Sequence, residues 1–308
     1  MARFFQALVL AILLLANTTT PASEPVVVSS KLSSESAMIG QMIRLLLEAH
    51  GIPTVDRMAI GATPIVRKAL ISGEIDLYVE YTGNAGFFFN RPDDPAWKDL
   101  QRGYDLGARL DLEANRIVWL APARASNAWA LAVRRDVARA NKLVTMSDFA
   151  RWARAGGPVK LACSAEFANG GTLRSLENTY GFHLEPRQKI VLAGGETAAT
   201  IGAAAARTNG INTAMVYGTD GGIVAADLVL LEDDKHDQPV YAPVPILREA
   251  VLKARPEIAG IVRPLMESFT RESLQALNAR VQIDGESSEA VAGDYLRATG
   301  FIRPAAGR

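Results

Sequence analysis

Four aromatic side chains stand at the ends of predicted strands, where the sheets of α/β proteins commonly bind ligands. Tyr81 and Tyr217 each close a predicted strand and precede a glycine turn, and Trp129 and Tyr241 each open one. Ligands of open α/β sheets lie outside the carboxyl ends of the strands. Aromatic rings that face such a cleft attract an organic cation even when it has no N–H group to donate. The placement indicates a site for an organic cation; the alternative is that these rings are ordinary core or edge aromatics.

Residues that could support catalysis do not form a recognisable set. Cys163 is the single cysteine and lies inside a predicted strand with no histidine close in sequence, which favours a buried, inert thiol. One cysteine also excludes an intrachain disulfide and a multi-cysteine zinc site. The histidines at 50, 183 and 236 form no pair at helical spacing, so we expect no histidine metal site. Motifs of serine hydrolases, zinc proteases, P-loop proteins and dinucleotide-binding proteins are absent from the sequence.

Asp76 and Glu80 are the remaining candidates for acid–base chemistry. They lie on one face of a predicted strand, because side chains two and four residues apart point the same way. Charged residues on a strand more commonly lie at a solvated edge or contact a helix terminus, and we favour that interpretation. The sequence therefore predicts no catalytic residue, no metal site and no cofactor, and the chain is predicted not to be an enzyme.

The composition narrows the remaining classes of function. The 308 residues include 33 basic and 33 acidic side chains, so the formal net charge is zero. This balance argues against a nucleic-acid partner, because nucleic-acid-binding domains carry a basic excess. Hydrophobic residues make up 49% and charged residues 21%, which excludes disorder as the main state. The length allows one large domain or two of medium size.

The first residues have the pattern of an export signal. Arg3 precedes the apolar run 4–16, which is followed by a polar stretch and by Pro21-Ala22. A basic start, a short apolar core and small residues at the end are typical of a cleavable signal peptide, here 1–22. The core is shorter than the roughly 20 residues of a membrane-spanning helix, although an uncleaved anchor is the alternative. We therefore expect export to the periplasm.

The elements that position the aromatic residues alternate between strand and helix. The first block, up to Tyr81, contains predicted strands at 25–29, 55–60 and 75–81, with helices at 35–50 and 63–71 between them. Thr63 is the predicted N-cap of the second helix, and Gly51 is the predicted left-handed residue that ends the first. This order predicts a parallel sheet with helices on its faces.

A second block repeats the same alternation. Its predicted strands are 128–134, 159–164, 212–217, 228–231 and 240–246. Its predicted helices are 146–155, 173–180 and 197–207, followed by a helical tail at 249–253, 258–269, 270–282 and 289–299. The connections are short, so two α/β lobes in contact are predicted rather than separate domains on a flexible linker.

Several motifs add a family resemblance. Ser72–Gly83 (SGEIDLYVEYTG) closely resembles a signature of the osmoprotectant substrate-binding proteins of ABC transporters, which bind glycine betaine, choline and related quaternary ammonium compounds. In order and spacing the chain is most similar to the OsmF (YehZ) branch. The remaining motifs that carry the resemblance are WLAPARASNAWALAV at 119–133, SAEF at 164–167, LAGGETAAT at 192–200, AMVYGTDG at 214–221 and YAPVPILRE at 241–249.

The resemblance implies a fold and a function. The fold is a two-lobed periplasmic binding protein of type II, with parallel or mixed sheets flanked by helices and a hinge that closes on the ligand. It places 23–128 and 238–308 in lobe I and 129–237 in lobe II, with the hinge near 128–134 and 238–246. The implied function is the delivery of a quaternary ammonium osmoprotectant to an ABC permease in the inner membrane. We further expect a monomer that has no nucleic-acid partner.

The resemblance also assigns the ligand site. Its aromatic box carries over to Tyr81, Trp129, Tyr217 and Tyr241. Asn127 stands two residues before Trp129 and could close the box. Thr82 and Asn84 lie at the glycine turn and could donate to a ligand carboxylate or hydroxyl. The full set of implied ligand-binding residues is Tyr81, Trp129, Tyr217, Tyr241, Asn127, Thr82 and Asn84.

One segment departs from the family pattern. Many relatives carry an arginine a few residues after the SAEF motif, where it binds the betaine carboxylate, whereas this chain has Asn169-Gly170-Gly171 there and its next arginine is Arg174. A guanidinium–carboxylate pair is among the stronger polar contacts, so its loss is expected to weaken the preference for glycine betaine over choline. The alternatives are a protein of the same fold that binds another solute, such as an amino acid, and a periplasmic hydrolase.

Overall fold

The computed structural model describes residues 24–192 and 197–303, and within them strands and helices alternate as predicted. The predicted signal peptide at 1–22 lies outside the described residues. The described strands are β1 (Val26–Lys31), β2 (Thr54–Gly61), β3 (Leu77–Tyr81), β4 (Ile117–Trp119), β5 (Trp129–Arg134), β6 (Leu161–Ser164), β7 (Lys189–Leu192), β8 (Thr213–Tyr217), β9 (Leu228–Leu230) and β10 (Pro243–Arg248).

The strands form two separate five-stranded sheets, and each is the centre of a lobe. The sheet of lobe I has the order β2-β1-β3-β10-β4. In it β1 is parallel to β2 and β3, whereas β10 is antiparallel to β3 and β4. The sheet of lobe II has the order β7-β6-β8-β5-β9, with β5 antiparallel to its two neighbours. Both sheets are therefore mixed, as the fold class predicts.

Helices cover the faces of both sheets. The described α-helices are α1 (Ser34–Ala49), α2 (Thr63–Ser72), α3 (Ala85–Phe88), α4 (Leu100–Asn115), α5 (Arg135–Asn141), α6 (Met146–Arg154), α7 (Ala165–Asn169), α8 (Thr172–Tyr180), α9 (Thr197–Ala205), α10 (Gly222–Ala225), α11 (Glu249–Ala254), α12 (Glu257–Glu267), α13 (Arg271–Gln282) and α14 (Ser288–Ala298). No helix of these residues combines the length and the apolar character that a membrane crossing requires.

Helix α1 is the central helix of lobe I. The sequence predicts a core face of Met38, Met42, Leu45, Leu46 and Ala49. Met38, Met42 and Leu46 are buried, but Leu45 is half-buried, Ala49 is exposed, and Ile39, Ile43 and Leu47 are buried as well. The wider apolar surface exists because α12, α13 and α14 of the C-terminal tail pack on the side of α1 away from the sheet. The first turn of α1, which begins at Ser34, thus lies near the C-terminal helices and the end of β3. Gly51 has φ +78° just past the end of the helix, as its left-handed role requires.

Three local predictions are wrong in detail. Thr63 lies inside α2, and Ala62 takes the N-cap position. Strand β10 begins at Pro243 rather than at 240, because the backbone of residues 240–242 bonds to other loops. Helix α4 is absent from the prediction, since Gly103 and Gly107 interrupt its pattern. A Cβ at Gly107 would lie 2.7 Å from the ring of Trp119, so the second glycine allows close packing on β4.

Asp76 and Glu80 are buried, which contradicts the expected solvated edge. Asp76 pairs with Arg248 and also accepts a hydrogen bond from the backbone of Val27 at 2.9 Å. Glu80 is fully buried and pairs with Lys31. A buried charge needs such a partner, so both carboxylates serve structural ion pairs.

Two crossing segments, residues 120–128 and 231–242, join the lobes. They run side by side and are hydrogen-bonded to each other and to β10: the backbone N–H of Ala123 donates to Pro243 O at 2.8 Å, and that of Asn127 donates to Tyr241 O at 2.9 Å. Two of the predicted site residues, Asn127 and Tyr241, therefore belong to the connection between the lobes.

Candidate functional site

A cavity of about 1040 Å³ lies between the two lobes; we call it the cleft cavity. Lobe I contributes the first turn of α1, the end of β3 and the end of α13, and lobe II contributes α9, α10 and the turn after β8. A second cavity of about 760 Å³, the side cavity, adjoins it and extends towards α8 and the segment before β10. Asn84, Asn127, Tyr217 and Tyr241 line both cavities.

A buried carboxylate, Glu35, lies in the wall of the cleft cavity. Its Oε1 atom accepts hydrogen bonds from the hydroxyl of Tyr81 at 2.9 Å and from Nδ2 of Asn127 at 3.0 Å. Its Oε2 atom accepts a hydrogen bond from Nδ2 of Asn278 at 2.6 Å. These partners all donate, an arrangement that suits an ionised carboxylate. The network joins α1, β3, the crossing segment and α13 at one point.

Burial and hydrogen bonding change the pKa of Glu35 in opposite directions. Burial raises the pKa of Glu35 above its ordinary value, and hydrogen bonds from Thr219, Asn278, Tyr81 and Asn127 oppose that rise. Burial, and after it the charge of Glu35, raises the pKa of Tyr81 well above its ordinary value. The phenol of Tyr81 therefore stays protonated at neutral pH and remains a hydrogen-bond donor.

The ring of Tyr81 is also in contact with a charge of the protein itself. The ammonium group of Lys31 lies 5.0 Å from the centroid of this ring, within cation–π distance. Lys31 is held there by its ion pair with the buried Glu80, which also accepts hydrogen bonds from Tyr78 at 2.8 Å and Asn84 at 2.7 Å. The side chain of Tyr81 is thus held by Glu35 at its hydroxyl and by Lys31 over its ring.

Tyr241 reaches the cavities because glycine stands opposite it. A Cβ at Gly83 would lie 2.9 Å from the Tyr241 ring, so any larger residue there would displace the ring. The backbone N–H of Tyr241 donates to the hydroxyl oxygen of Ser126 at 3.1 Å, which fixes the residue on the neighbouring crossing segment. Burial raises the pKa of Tyr241, so this ring is also neutral at physiological pH.

Trp129 and Tyr217 form an aromatic pair on lobe II. They face each other across the antiparallel strands β5 and β8, and their rings stack with centroids 6.1 Å apart and planes at 20°. The indole also packs against the ring of Phe167 in a T-shaped arrangement, with the two ring centroids 5.9 Å apart. Its Nε1 atom is buried and has no hydrogen-bond partner among the described residues. A buried donor without a partner is costly, and this N–H group is such an unsatisfied donor.

The predicted aromatic box is divided between the two cavities. Tyr81, Tyr217 and Tyr241 line the cleft cavity, whereas Trp129 lines the side cavity together with the same two tyrosines, 217 and 241. Tyr217 and Tyr241 therefore form the common wall of the two spaces.

The polar residues of the predicted set have different surroundings. Asn127 bonds to Glu35 and Asn84 bonds to Glu80, and both line the cavities. Thr82 lines neither cavity. Its hydroxyl donates to Val240 O at 2.7 Å and accepts from Ala242 N at 3.1 Å, so it holds the second crossing segment against β3. The structure thus corrects the expected position of Thr82.

The segment without the family arginine lies at the side cavity. Gly170, Gly171 and Thr172 line this cavity together with Glu166. Arg174 is exposed on α8 and lines neither cavity. The structure therefore offers no arginine to a ligand carboxylate from the described residues of this segment.

Two residues of the site were missed by the sequence analysis, Glu35 and Asn278. Glu35 has the appearance of an ordinary acidic residue in the first turn of a helix. Asn278 lies far along the chain on the C-terminal helix α13, and only the packing of α13 against α1 brings it to the cavity. No motif of the sequence marks either position.

Contacts between the lobes surround this network. Nδ2 of Asn278 also donates to Thr219 O at 2.8 Å, and Nε2 of Gln275 donates to Gly218 O at 2.9 Å. A Cβ at Gly221 would lie 2.2 Å from the backbone nitrogen of Ala279, so the turn after β8 rests directly on α13. The glycine turn of lobe II is therefore attached to the same helix that carries Asn278.

The fold is that of a periplasmic binding protein of type II. It has two lobes built on separate mixed sheets, two crossing segments that join them, and an aromatic cavity between them. The family model of the substrate-binding domain of ABC-type glycine betaine transport systems matches residues 24–298. The chain belongs to this family, and it is a transport substrate-binding protein rather than an enzyme.

Individual relatives agree with this assignment. The chain is 47% identical over 283 residues to the glycine betaine-binding protein YehZ of Escherichia coli K12, covering 92% of this chain and 93% of that protein. The structure of ligand-free YehZ from E. coli matches with a TM-score of 0.85, covering 91% of this chain and 100% of that chain. A glycine-betaine-binding protein of Pseudomonas aeruginosa is 29% identical over 89% of this chain and 88% of its own length. The resemblance to the YehZ branch is thus confirmed.

Proposed function

We propose that this protein binds a quaternary ammonium osmoprotectant, such as glycine betaine or choline, in the cleft cavity and delivers it to an ABC permease. The observation that carries the proposal is the combination of three tyrosines with a buried carboxylate around one cavity between the lobes. Aromatic faces and a negative charge attract a cation whose methyl groups cannot donate conventional hydrogen bonds. The names of the relatives, which refer to glycine betaine, support the same ligand class.

The charges of the cleft cavity favour a cation. Its described lining residues include the carboxylates Glu35 and Asp220 and no lysine, arginine or histidine. An amino acid as ligand would normally require an arginine for its carboxylate, which these residues do not provide. The proposal therefore favours a quaternary ammonium compound over an amino acid.

We propose that the tail of the ligand extends past Tyr217 and Tyr241 into the side cavity. The indole N–H of Trp129 would donate to a carboxylate or hydroxyl at that end. Thr172 also lines this cavity and carries a hydroxyl group. The hydroxyl of Ser175 already donates to Asp237 at 2.8 Å, and Lys98, which lines the cavity too, lies 3.6 Å from the same carboxylate. Neutral donors bind a carboxylate less strongly than a guanidinium does, so the preference for glycine betaine over choline should be small.

The remaining parts of the proposal concern the whole protein. A signal peptide at 1–22 would direct it to the periplasm, where we expect it to act as a monomer. Lobe I would comprise 23–128 and 238–308, and lobe II 129–237. Ligand binding would close the lobes about the crossing segments and present both of them to the permease in the inner membrane.

Calorimetric titration tests the ligand class. The mature protein is titrated with choline, glycine betaine, carnitine and proline betaine, and with proline and glycine as amino-acid controls. Saturable binding of at least one quaternary compound, with no binding of the controls, is the expected result. Binding of an amino acid without binding of any quaternary compound would overturn the proposal.

A further inference from the structure

We propose that Glu35 is the counter-charge for the cationic head of the ligand, so that the cleft cavity selects a positively charged group over a neutral group of the same shape. This inference rests on the proposed function and assigns its charge selectivity to one residue. Glu35 lines the cavity, is 3% exposed, and belongs to the first turn of α1.

Glu35 has no cationic partner among the described residues. Its hydrogen bonds come from Tyr81, Asn127, Asn278 and Thr219, all of them neutral. None of the ion pairs formed by the described residues includes Glu35, and the nearby Lys31 pairs with Glu80 instead. The buried carboxylates Asp76, Glu80 and Asp111 each have a basic partner, so Glu35 differs from them. A buried charge without a counter-charge is costly, and a cationic ligand would remove that cost.

The two amides that bind Glu35 each leave an oxygen atom without a partner among the described residues. Asn127 and Asn278 direct Nδ2 towards the carboxylate, because the reverse orientation would place an amide oxygen against a carboxylate oxygen. Their Oδ1 atoms are buried and have no partner among the described residues. Asn278 is only 1% exposed, and both residues line the cleft cavity. Two amide oxygens therefore add to the negative potential that the carboxylate creates.

A trimethylammonium group would satisfy these oxygens. The carboxylate forms no ion pair among the described residues, the two Oδ1 atoms have no hydrogen-bond partner there, and a trimethylammonium group distributes its positive charge over its methyl hydrogens. Such a group would contact several oxygens at once without a directed hydrogen bond. The three tyrosine rings of the cavity would cover the rest of its surface. The site is thus complementary to a bulky cation and not to an anion.

The experiment compares ligands that differ only in charge. Replacing the ammonium nitrogen by carbon turns choline into 3,3-dimethylbutan-1-ol and glycine betaine into 3,3-dimethylbutanoate. Affinities for both pairs are measured by calorimetry for the wild type, Glu35→Gln and Glu35→Asp. Glu35→Gln keeps the size of the side chain, and Asn127 can turn its amide oxygen towards the new amide group. Thermal unfolding checks that each variant is folded.

We expect the wild type to prefer each ammonium ligand over its carbon analogue, and Glu35→Gln to reduce that preference by on the order of tenfold to a hundredfold. Glu35→Asp retains the charge and should keep most of the preference. The inference is overturned if Glu35→Gln leaves the ratio of the affinities for the ammonium ligand and its carbon analogue unchanged, or if Glu35→Asp lowers it equally. Equal binding of the ammonium ligands and their carbon analogues to the wild type would overturn it without any variant. Failure of the wild type to bind any quaternary compound would instead contradict the proposed function.

Discussion

The hydroxyl of Tyr81 donates a hydrogen bond to Oε1 of Glu35 at 2.9 Å, which joins the end of β3 to the first turn of α1. This bond fixes an aromatic ring and a carboxylate beside the same cavity. Because the ammonium group of Lys31 already lies 5.0 Å from the centroid of the Tyr81 ring, a ligand cation would share that ring with a charge of the protein. Tyr217 and Tyr241, which line both cavities, are therefore expected to supply most of the cation–π attraction.

Substitutions at Tyr241 can separate the contribution of the aromatic ring to ligand binding from that of apolar packing. Tyr241→Leu removes the π face but keeps an apolar side chain, and we expect it to weaken choline or glycine betaine binding by about 0.5–2 kcal/mol. Tyr241→Phe keeps the ring over Gly83 and should bind nearly as the wild type does. Calorimetry on both variants provides the comparison. Equal losses in the two variants would show that the ring is not the source of the binding energy.

Trp129 is expected to contact the tail of the ligand through its indole N–H. Trp129→Phe keeps an aromatic ring against Tyr217 and Phe167 but removes this donor. We expect weaker binding of glycine betaine, by about 1–3 kcal/mol if the bond goes to its carboxylate, and nearly unchanged binding of tetramethylammonium, which has no tail. Both compounds are titrated into the same variant, so tetramethylammonium serves as the control ligand for glycine betaine. A loss for tetramethylammonium as large as that for glycine betaine would place Trp129 at the cationic head instead.

An arginine at the side cavity should restore discrimination for a carboxylate. Gly170 is unsuitable, because a Cβ there would lie 2.4 Å from Glu166 O. Thr172 lines the cavity at the start of α8, so Thr172→Arg can direct a guanidinium towards the ligand tail. We expect the ratio of glycine betaine to choline affinity to increase several-fold, because charge-assisted bonds are roughly twice as strong as neutral ones. Asn169→Arg, at an exposed position that lines neither cavity, is the matched control. An equal gain in both variants would indicate a general charge effect.

The ligand preference of the wild type and of Arg174→Ala gives a related test of the carboxylate site. If the wild type strongly prefers glycine betaine and Arg174→Ala abolishes this preference, Arg174 would be the carboxylate anchor. Our interpretation of the segment 169–172 would then be wrong.

Closure of the lobes should depend on the glycine turn after β8. Small-angle scattering of the wild type is expected to give a smaller radius of gyration with saturating ligand than without it. Gly221→Ala places a methyl group 2.2 Å from the Ala279 backbone nitrogen, so it should force the turn away from α13 and reduce this change. Gly260→Ala, on α12 with no atom within 4 Å of the added Cβ, is the control. An unchanged radius in the wild type would argue for a form whose closure is independent of ligand.

The sequence predicts the fold class and most of the elements because alternating apolar patterns and glycine or proline boundaries are local properties. It also places Tyr81, Trp129 and Tyr217 at strand ends, whereas Tyr241 lies in the crossing segment before β10, and it does not reveal that two cavities divide the four rings. Helix α4 is missed because Gly103 and Gly107 serve packing against other parts of lobe I, which a local pattern does not show.

The polar part of the site is the least predictable from the sequence. Glu35 and Asn278 meet only because the C-terminal helices fold back onto α1, 243 residues apart along the chain. Thr82 was expected to face the ligand, yet its hydroxyl is used by the backbone of the crossing segment. Asp76 and Glu80 were expected at a solvated edge, and their burial depends on the distant partners Arg248 and Lys31. Each of these outcomes depends on tertiary contacts.

The position of the ligand nitrogen tests the central claim most directly. A crystal structure of the protein with choline or glycine betaine should place the quaternary nitrogen in the cleft cavity, within about 6 Å of the ring centroids of Tyr217 and Tyr241 and beside Glu35. The tail should point towards Trp129. A nitrogen bound elsewhere, with Glu35 in contact only with neutral protein groups and the cleft cavity filled by water, would contradict this claim.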